Sequence, residues 1–175
     1  MYTYQPMQVE DAHQLVQIDR SELIDYVYEM QNGKLIERNA GHECPSWDDT
    51  LIIELQERFF YELSHGGAAL GAYDGDILIG FGVLGHQFRG EQQDRLVIDL
   101  MYVSRNYRRQ GIGTKIMNEL SDEARKRGAK YLYVSSTETR SAVYFYKHQG
   151  CDLTNDIDQE LFAKEPLDIH MLKPL

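Results

Sequence analysis

The stretch DLMYVSRNYRRQGIGTK, Asp99–Lys115, leaves the chain few ways to fold around it. Leu96–Val103 is an apolar run broken once, by Asp99, and it has the length of a buried strand rather than a helix. Arg105, Asn106, Tyr107, Arg108 and Arg109 follow as a polar, positive loop. Beyond Gly111 and Gly113, the apolar residues Ile112, Ile116, Leu120 and Ala124 recur at helical spacing. Unpaired N–H groups, the positive end of a helix dipole and flanking arginines make such a junction an anion site. Glycine there lets the backbone approach a phosphate closely. A glycine-softened helix start with solvated arginines would read the same way.

Two glycine motifs are excluded. A P-loop needs Gly-Lys-Ser/Thr, and the chain has Gly113-Thr114-Lys115. A dinucleotide fingerprint needs a third glycine where Ile116 stands. What remains, Arg108-x-x-Gly111-x-Gly113 directly after a strand, resembles the acetyl-CoA signature of the GNAT family of N-acetyltransferases. A second segment, Ala142-x-x-x-Tyr146-x-x-x-Gly150 with Phe145 before the tyrosine, resembles that family's late helix, and it follows in the expected order. The chain departs from the pattern twice. Thr139 replaces the common asparagine, and Cys151 replaces the phenylalanine after the glycine. Cys151 is expected to pack as a small apolar residue. The resemblance covers Ala68–Cys151 well and the N-terminal third poorly.

With 175 residues, 42% of them apolar, the chain suits one compact domain. A formal net charge of −10 argues against nucleic acid or an anionic membrane as partner. No stretch reads as a membrane span or signal peptide. Cys44 and Cys151 do not form a disulfide framework, so a cytoplasmic location is expected. Charge is uneven: residues 1–66 hold 13 acidic and 4 basic side chains, whereas residues 89–115 carry 6 basic against 3 acidic. That distribution suits one cationic and one anionic ligand, though solvated surface charge explains it as well. The fragment Gly41-His42-Glu43-Cys44 offers two metal ligands, and no matching pair stands elsewhere at zinc spacing, so no metal is expected. Trp47 reads as core or pocket wall.

Along the chain, Met1–Gln8 is a short strand and Glu10–Ile18 a helix with Leu15, Val16 and Ile18 inward. Alternation from Ile24 to Met30 and the turn signal Asn32-Gly33 predict a hairpin, with a helix over Glu22–Met30 the alternative. Asn39–Pro45 reads as loop. A helix capped by Ser46 or Asp48 carries Leu51, Leu55, Phe59 and Leu63 and stops at His65-Gly66-Gly67. Asp74-Gly75 joins Ala68–Tyr73 to Ile77–Leu84 as a second hairpin, and Arg95–Ser104 adds a third consecutive strand. The helix from Gly111 ends at Gly128, and Tyr131–Ser135 is a strand buried on both faces. The order implies a mixed α/β sheet.

The resemblance implies more: a single domain whose largely antiparallel sheet splays into a V and is flanked by helices. Residues 1–66 would form the acceptor side, 68–151 the acetyl-CoA-binding core and 152–175 a C-terminal strand region. Backbone groups of Leu100, Met101, Tyr102 and Val103 would hold the pantetheine arm and polarise the acetyl carbonyl. The N–H groups of Arg109, Gln110, Gly111, Ile112, Gly113 and Thr114 would cradle the pyrophosphate, with Arg108 adding charge and an outer arginine or Lys115 meeting the ribose phosphate. Thr139 would bond the pantetheine, and Tyr146 would protonate the leaving thiolate. For the base, alternation places Asp99 on one face with Met101 and Val103. An unpaired, desolvated aspartate there would gain basicity. Pairing with a nearby arginine, Glu138 as base, or a water chain are the alternatives. The acidic N-terminal portion suggests a small cationic amine as acceptor. A protein lysine or N-terminal amine, an acyl-CoA sensor without turnover, and an adaptor without coenzyme A affinity stay open. Free strand edges leave room for a homodimer.

Overall fold

In the computed structural model, which describes residues 1–175, the elements run as follows. Strand β1 (Thr3–Met7) leads through a 3₁₀ helix (Val9–Gln17) to the long strands β2 (Glu22–Gln31) and β3 (Lys34–Cys44). Helix α1 (Asp49–Ser64) and strands β4 (Ala68–Asp74), β5 (Ile77–Leu84) and β6 (Arg95–Val103) come next. The second half comprises α2 (Ile112–Lys126), β7 (Tyr131–Ser136), α3 (Arg140–His148), β8 (Asp152–Leu153), α4 (Gln159–Lys164) and β9 (Ile169–Pro174). One seven-stranded sheet has the order β1-β4-β5-β6-β7-β9-β8, and β2 and β3 form a separate two-stranded sheet. No helix is long and apolar enough to cross a membrane.

Every strand contact in the large sheet is antiparallel except β6 against β7. That parallel contact lasts only from Arg95 to Val97, against Tyr131 to Tyr133. Beyond it β6 stays bound to β5 through Val103, while β7 stays bound to β9 through Ser136. The sheet therefore opens into the expected V.

Two apolar cores sit on the two faces. One packs α2, through Ile112, Ile116, Met117, Leu120 and Ala124, onto Ile79, Leu96, Ile98, Leu132 and Val134. Helix α2 lies close because β5 presents Gly80 and Gly82 beneath it; a Cβ on Gly82 would sit 2.7 Å from Ile116. The other core packs Leu55 and Phe59 of α1, with Leu15 and Ile18, onto Phe81, Val83 and Leu100. Each such large side chain contributes about 1.5–3 kcal/mol by leaving water.

Several local expectations need correction. The segment after β1 winds as a 3₁₀ helix, whose three-residue period aligns Ala12, Leu15 and Ile18 inward and turns Val16 out, 60% exposed. Asn39–Cys44 is strand, not loop: β3 continues past a bulge where Gly41 takes φ 66°, and His42–Cys44 pair with Glu22–Ile24. The preceding turn fits its letters, with Asn32 and Gly33 both at positive φ. Of the two proposed caps for α1, Asp48 accepts from the Leu51 N–H at 2.8 Å, and Leu51 itself is exposed. Cys151 is fully buried in the α2-side core, where burial pushes its thiol up to about 11.

Candidate active site

The loop between β6 and α2 has the backbone shape that could hold an anion. Arg109 and Gly111 both take left-handed φ, 61° and 83°, which curls the backbone just before the helix. For the arginine this conformation costs about 1 kcal/mol or more. The N–H groups of Ile112, Gly113 and Thr114 then form the first turn of α2, which contains no acidic residue. A Cβ at Gly111 would meet nothing, so space lies open before the turn. Gly113 has another reason to be glycine: a Cβ would lie 2.8 Å from the Phe145 ring. The late helix thus packs directly on the cradle, joining the two segments whose resemblance pointed to one family.

The basic side chains divide their tasks differently than expected. Arg108 turns inward: Nε donates to the Val103 carbonyl at 2.9 Å and Nη1 to the Ser21 carbonyl at 3.0 Å. It braces the loop against the N-terminal segment rather than facing a phosphate, and burial lowers its pKa. Arg105 pairs with Glu43 of β3, and Lys115 with Glu119 at 2.6 Å. Arg109 has neither an ion pair nor a side-chain hydrogen bond, which leaves it available to a ligand phosphate. Gln110 accepts from the Tyr2 hydroxyl at 2.7 Å, and Thr114 from the Gln149 amide at 3.0 Å.

Leu100, Met101, Tyr102 and Val103 line the open side of the V, as the parallel ladder has already ended at Val97. Asp99 does not share a face with Met101 and Val103. Val83 pairs with Leu100 and Leu84 with Ile98, so Asp99 is the extra residue of a bulge. Leu96, Ile98, Met101 and Val103 face the α2 core, whereas Leu100 joins the α1 core and Asp99 meets α1 itself. Its two carboxylate oxygens accept from Nε and Nη2 of Arg58, both at 2.9 Å, and its carbonyl accepts from Nη2 at 2.8 Å. The carboxylate expected to be an unpaired base is held by a two-pronged ion pair.

Tyr146 projects from α3 into the same region and packs edge-on to Phe145 at 5.1 Å between centroids. Burial, then the neighbouring Tyr102, Cys151 and Asp168, push its phenol well above the ordinary value, so it stays a neutral donor. Tyr144, two residues earlier on the helix, is exposed. Thr139 Oγ1 accepts from the Ala142 N–H at 3.4 Å as the N-cap of α3. Tyr102 meets Trp47 edge-on at 4.8 Å, and the Arg20 guanidinium lies 5.5 Å from the Trp47 ring.

Asp168 borders this region and carried no signal in the sequence. It stands just before β9, accepts from Ser135 Oγ at 2.8 Å, and burial pushes its carboxyl up to about 6. Glu165 and Glu138 push it further in the same direction; Ser135 and Arg58 oppose them. The β2–β3 hairpin closes over one side. The Tyr28 N–H donates to the Glu138 carbonyl at 2.7 Å, Val27 bridges Thr139, and Arg140 of α3 stacks on Tyr26 at 4.0 Å while pairing with Asp25 and Glu37. Nowhere do three His, Cys, Asp or Glu side chains gather as a metal site. A separate open groove, between the 3₁₀ helix and α1 beside Ile53, Phe60 and His65, shares no residue with this cleft.

Comparison with known proteins agrees with the geometry. The pattern describing the Acetyltransferase (GNAT) family matches residues 25–151. An N-alpha-acetyltransferase 50 from Danio rerio is 30% identical over 125 residues, covering 69% of this chain and 73% of that protein. A nourseothricin acetyltransferase structure superposes with TM-score 0.74 at 22% identity, covering 99% of this chain and 98% of that one. A structure described as a streptothricin acetyltransferase from Bacillus anthracis, in complex with acetyl-coenzyme A, gives TM-score 0.75 at 14% identity over 100% and 99% of the two chains. Together with the glycine cradle at the head of α2 and the open V beside it, the family match leads to one conclusion: this chain belongs to the GNAT family and is an acetyl-CoA-dependent N-acetyltransferase.

Proposed function

We propose that the acceptor is the primary amine of a small cationic compound, acetylated directly by acetyl-CoA in a ternary complex. The observation that carries this reading is the acidic edge of the cleft, where Glu138 and Glu165 both lie within electrostatic reach of Asp168. Opposite charge there attracts and orients an ammonium group. The hairpin clamped over the loop at Glu138 narrows the approach, which suits a compact acceptor better than an extended polypeptide.

The chemistry then divides among elements. Residues 1–66 shape the acceptor side, and 68–151 hold the cofactor with the cradle at Arg109–Thr114. A backbone N–H of β6 near Met101 stabilises the carbonyl oxygen as it becomes negative. The amine nitrogen bonds to the acetyl carbon, the carbon–sulfur bond breaks, and Tyr146 gives its proton to the departing thiolate. Asp99 serves in this scheme as the anchor for Arg58.

Calorimetric titration with acetyl-CoA, followed by turnover assays, tests the reading. Streptothricin and spermidine serve as cationic acceptors, glutamate as an acidic one, and a peptide with a free N-terminus as the polypeptide. The cationic small molecules are expected to turn over. Turnover of only the peptide, or only the acidic amine, would refute the acceptor class. In Tyr146→Phe, kcat is expected to fall about 100-fold or more while acetyl-CoA affinity holds. A sensor without turnover would leave wild type inactive towards all four acceptors.

A further inference from the structure

We propose that Asp168 is the group that receives the acceptor's ammonium and removes its proton before attack. This inference rests on the cationic-amine reading above and adds the residue that makes such an amine reactive.

The position is built by the sheet. The last pair of the β7–β9 ladder is Ser136 with Ile169, so Asp168 lies one residue beyond it, at the end of β7 that has separated from β6. Its own N–H donates to the Glu165 carbonyl at 3.1 Å, which fixes the backbone as the chain enters β9. Ser135 Oγ, from the neighbouring strand, holds Oδ2 at 2.8 Å. No arginine or lysine forms an ion pair with Asp168. By contrast, both oxygens of Asp99 are engaged by Arg58. Of the two aspartates at the V, only Asp168 retains a carboxylate oxygen free to accept from an ammonium.

Its surroundings suit proton transfer. The charged and titratable groups facing it are Glu165 beyond α4, Glu138 after β7, Arg58 of α1, Tyr102 of β6 and Tyr146 of α3. Burial is the largest influence and, with the two glutamates, outweighs Ser135 and Arg58, so the carboxylate titrates at about 6. It is therefore ionised at neutral pH, yet holds a proton more readily than a surface aspartate. Asp168 is among the charges that raise the Tyr146 pKa, so the proposed base and acid lie within electrostatic reach of each other.

The proton account closes. Asp168 takes one proton from the ammonium, and the freed lone pair attacks the acetyl carbon. As the carbon–sulfur bond breaks, the thiolate takes the Tyr146 proton. The nitrogen, now bearing the acetyl group, returns a second proton to the Tyr146 phenolate. The proton on Asp168 leaves to solvent, so one proton is released for each ammonium acetylated.

The test measures kcat/KM against pH for wild type, Asp168→Asn, Ser135→Ala and Asp99→Asn, using whichever of spermidine and streptothricin the wild type turns over. Calorimetry with acetyl-CoA checks each variant. Wild type is expected to lose activity below an acid limb near pH 6. Asp168→Asn should lose about 100-fold or more in kcat/KM and lack that limb, while acetyl-CoA affinity stays within about twofold, less than the 1.4 kcal/mol that marks a tenfold change. Ser135→Ala, which removes a hydrogen bond to the anion, should move the limb to higher pH. Asp99→Asn should keep the limb where it is. Asp168→Asn retaining the limb, or activity near wild type at every pH, would overturn the inference. Should Asp168→Asn fail to bind acetyl-CoA, Ser135→Ala decides, and an unmoved limb there refutes it. Absence of wild-type turnover with either amine is a different failure, that of the acceptor class.

Discussion

Replacing Gly82 by alanine tests how α2 is seated. The added Cβ would lie 2.7 Å from Ile116 Cγ2, 2.9 Å from Leu120 Cδ1 and 3.1 Å from Met101 Cε. Ordinary carbon contacts are about 3.5–4.0 Å, so the helix must lift by roughly 1 Å or its side chains must leave their rotamers. Such overpacking costs about 1–3 kcal/mol. Restricting the unfolded chain returns about 0.4–1 kcal/mol. The net destabilisation is then about 1–2 kcal/mol, which for a chain of this size lowers Tm by about 2–8 °C. Because the cradle is the first turn of the same helix, acetyl-CoA binding should weaken as well. Gly80→Ala is the graded control: its nearest contact is 3.1 Å, from Ile112 Cγ2, and its losses should be smaller. Thermal denaturation and calorimetry on both variants supply the readout. Unchanged Tm and unchanged acetyl-CoA affinity in Gly82→Ala would refute the idea that these glycines set the height of α2.

Stability should also respond to Asp168 and to Cys151. The Asp168 carboxyl titrates at about 6 when folded, against about 3.9 unfolded, so between those values the native state holds the extra proton. Stability from this group falls as pH rises through that window, and above it Asp168→Asn should exceed wild type by about 1–2 kcal/mol after screening by solvent. Urea denaturation at pH 4 and pH 8 checks the sign; an equal difference at both pH values would contradict it. Cys151→Ser places a hydroxyl in a fully buried apolar site and should cost about 1–3 kcal/mol, visible as a lower urea midpoint. A midpoint matching wild type would mean the site supplies a hydrogen-bond partner.

Much of this architecture was readable where a short stretch determines its own conformation. Asn32-Gly33 and Asp74-Gly75 each specify a tight hairpin, and both hairpins form. Arg108-x-x-Gly111-x-Gly113 marked the cradle because strand, turn and helix start are contiguous. The bulge at Asp99 was not readable, because a bulge is a property of two strands in register, and the residue that reveals it, Leu84 opposite Ile98, lies on β5. Gly41 hid the end of β3 for a related reason: a glycine inside a bulge and a glycine in a loop carry the same letter. Arg108 looked like phosphate charge because its acceptors, the carbonyls of Ser21 and Val103, have no side-chain signature. Asp168 follows Glu165-Pro166-Leu167, a stretch that carries no motif. Its meaning comes from β9 lying beside β7, a pairing between segments far apart in the chain.

The parallel ladder between β6 and β7 spans three residues, and everything else in the large sheet belongs to one leaf or the other. This short seam is the one place where the two leaves are joined. Beyond Val97, β6 shows its facing leaf a row of main-chain donors and acceptors with no strand to receive them. A pantetheine arm laid into the notch would act as a short extra strand, wedging the leaves at a fixed angle and giving those groups partners. Cofactor binding would then complete the sheet as well as deliver a reactive thioester. Amide hydrogens of Leu100–Val103 that face the notch should exchange quickly without acetyl-CoA and slowly with it, while those paired to β5 change little.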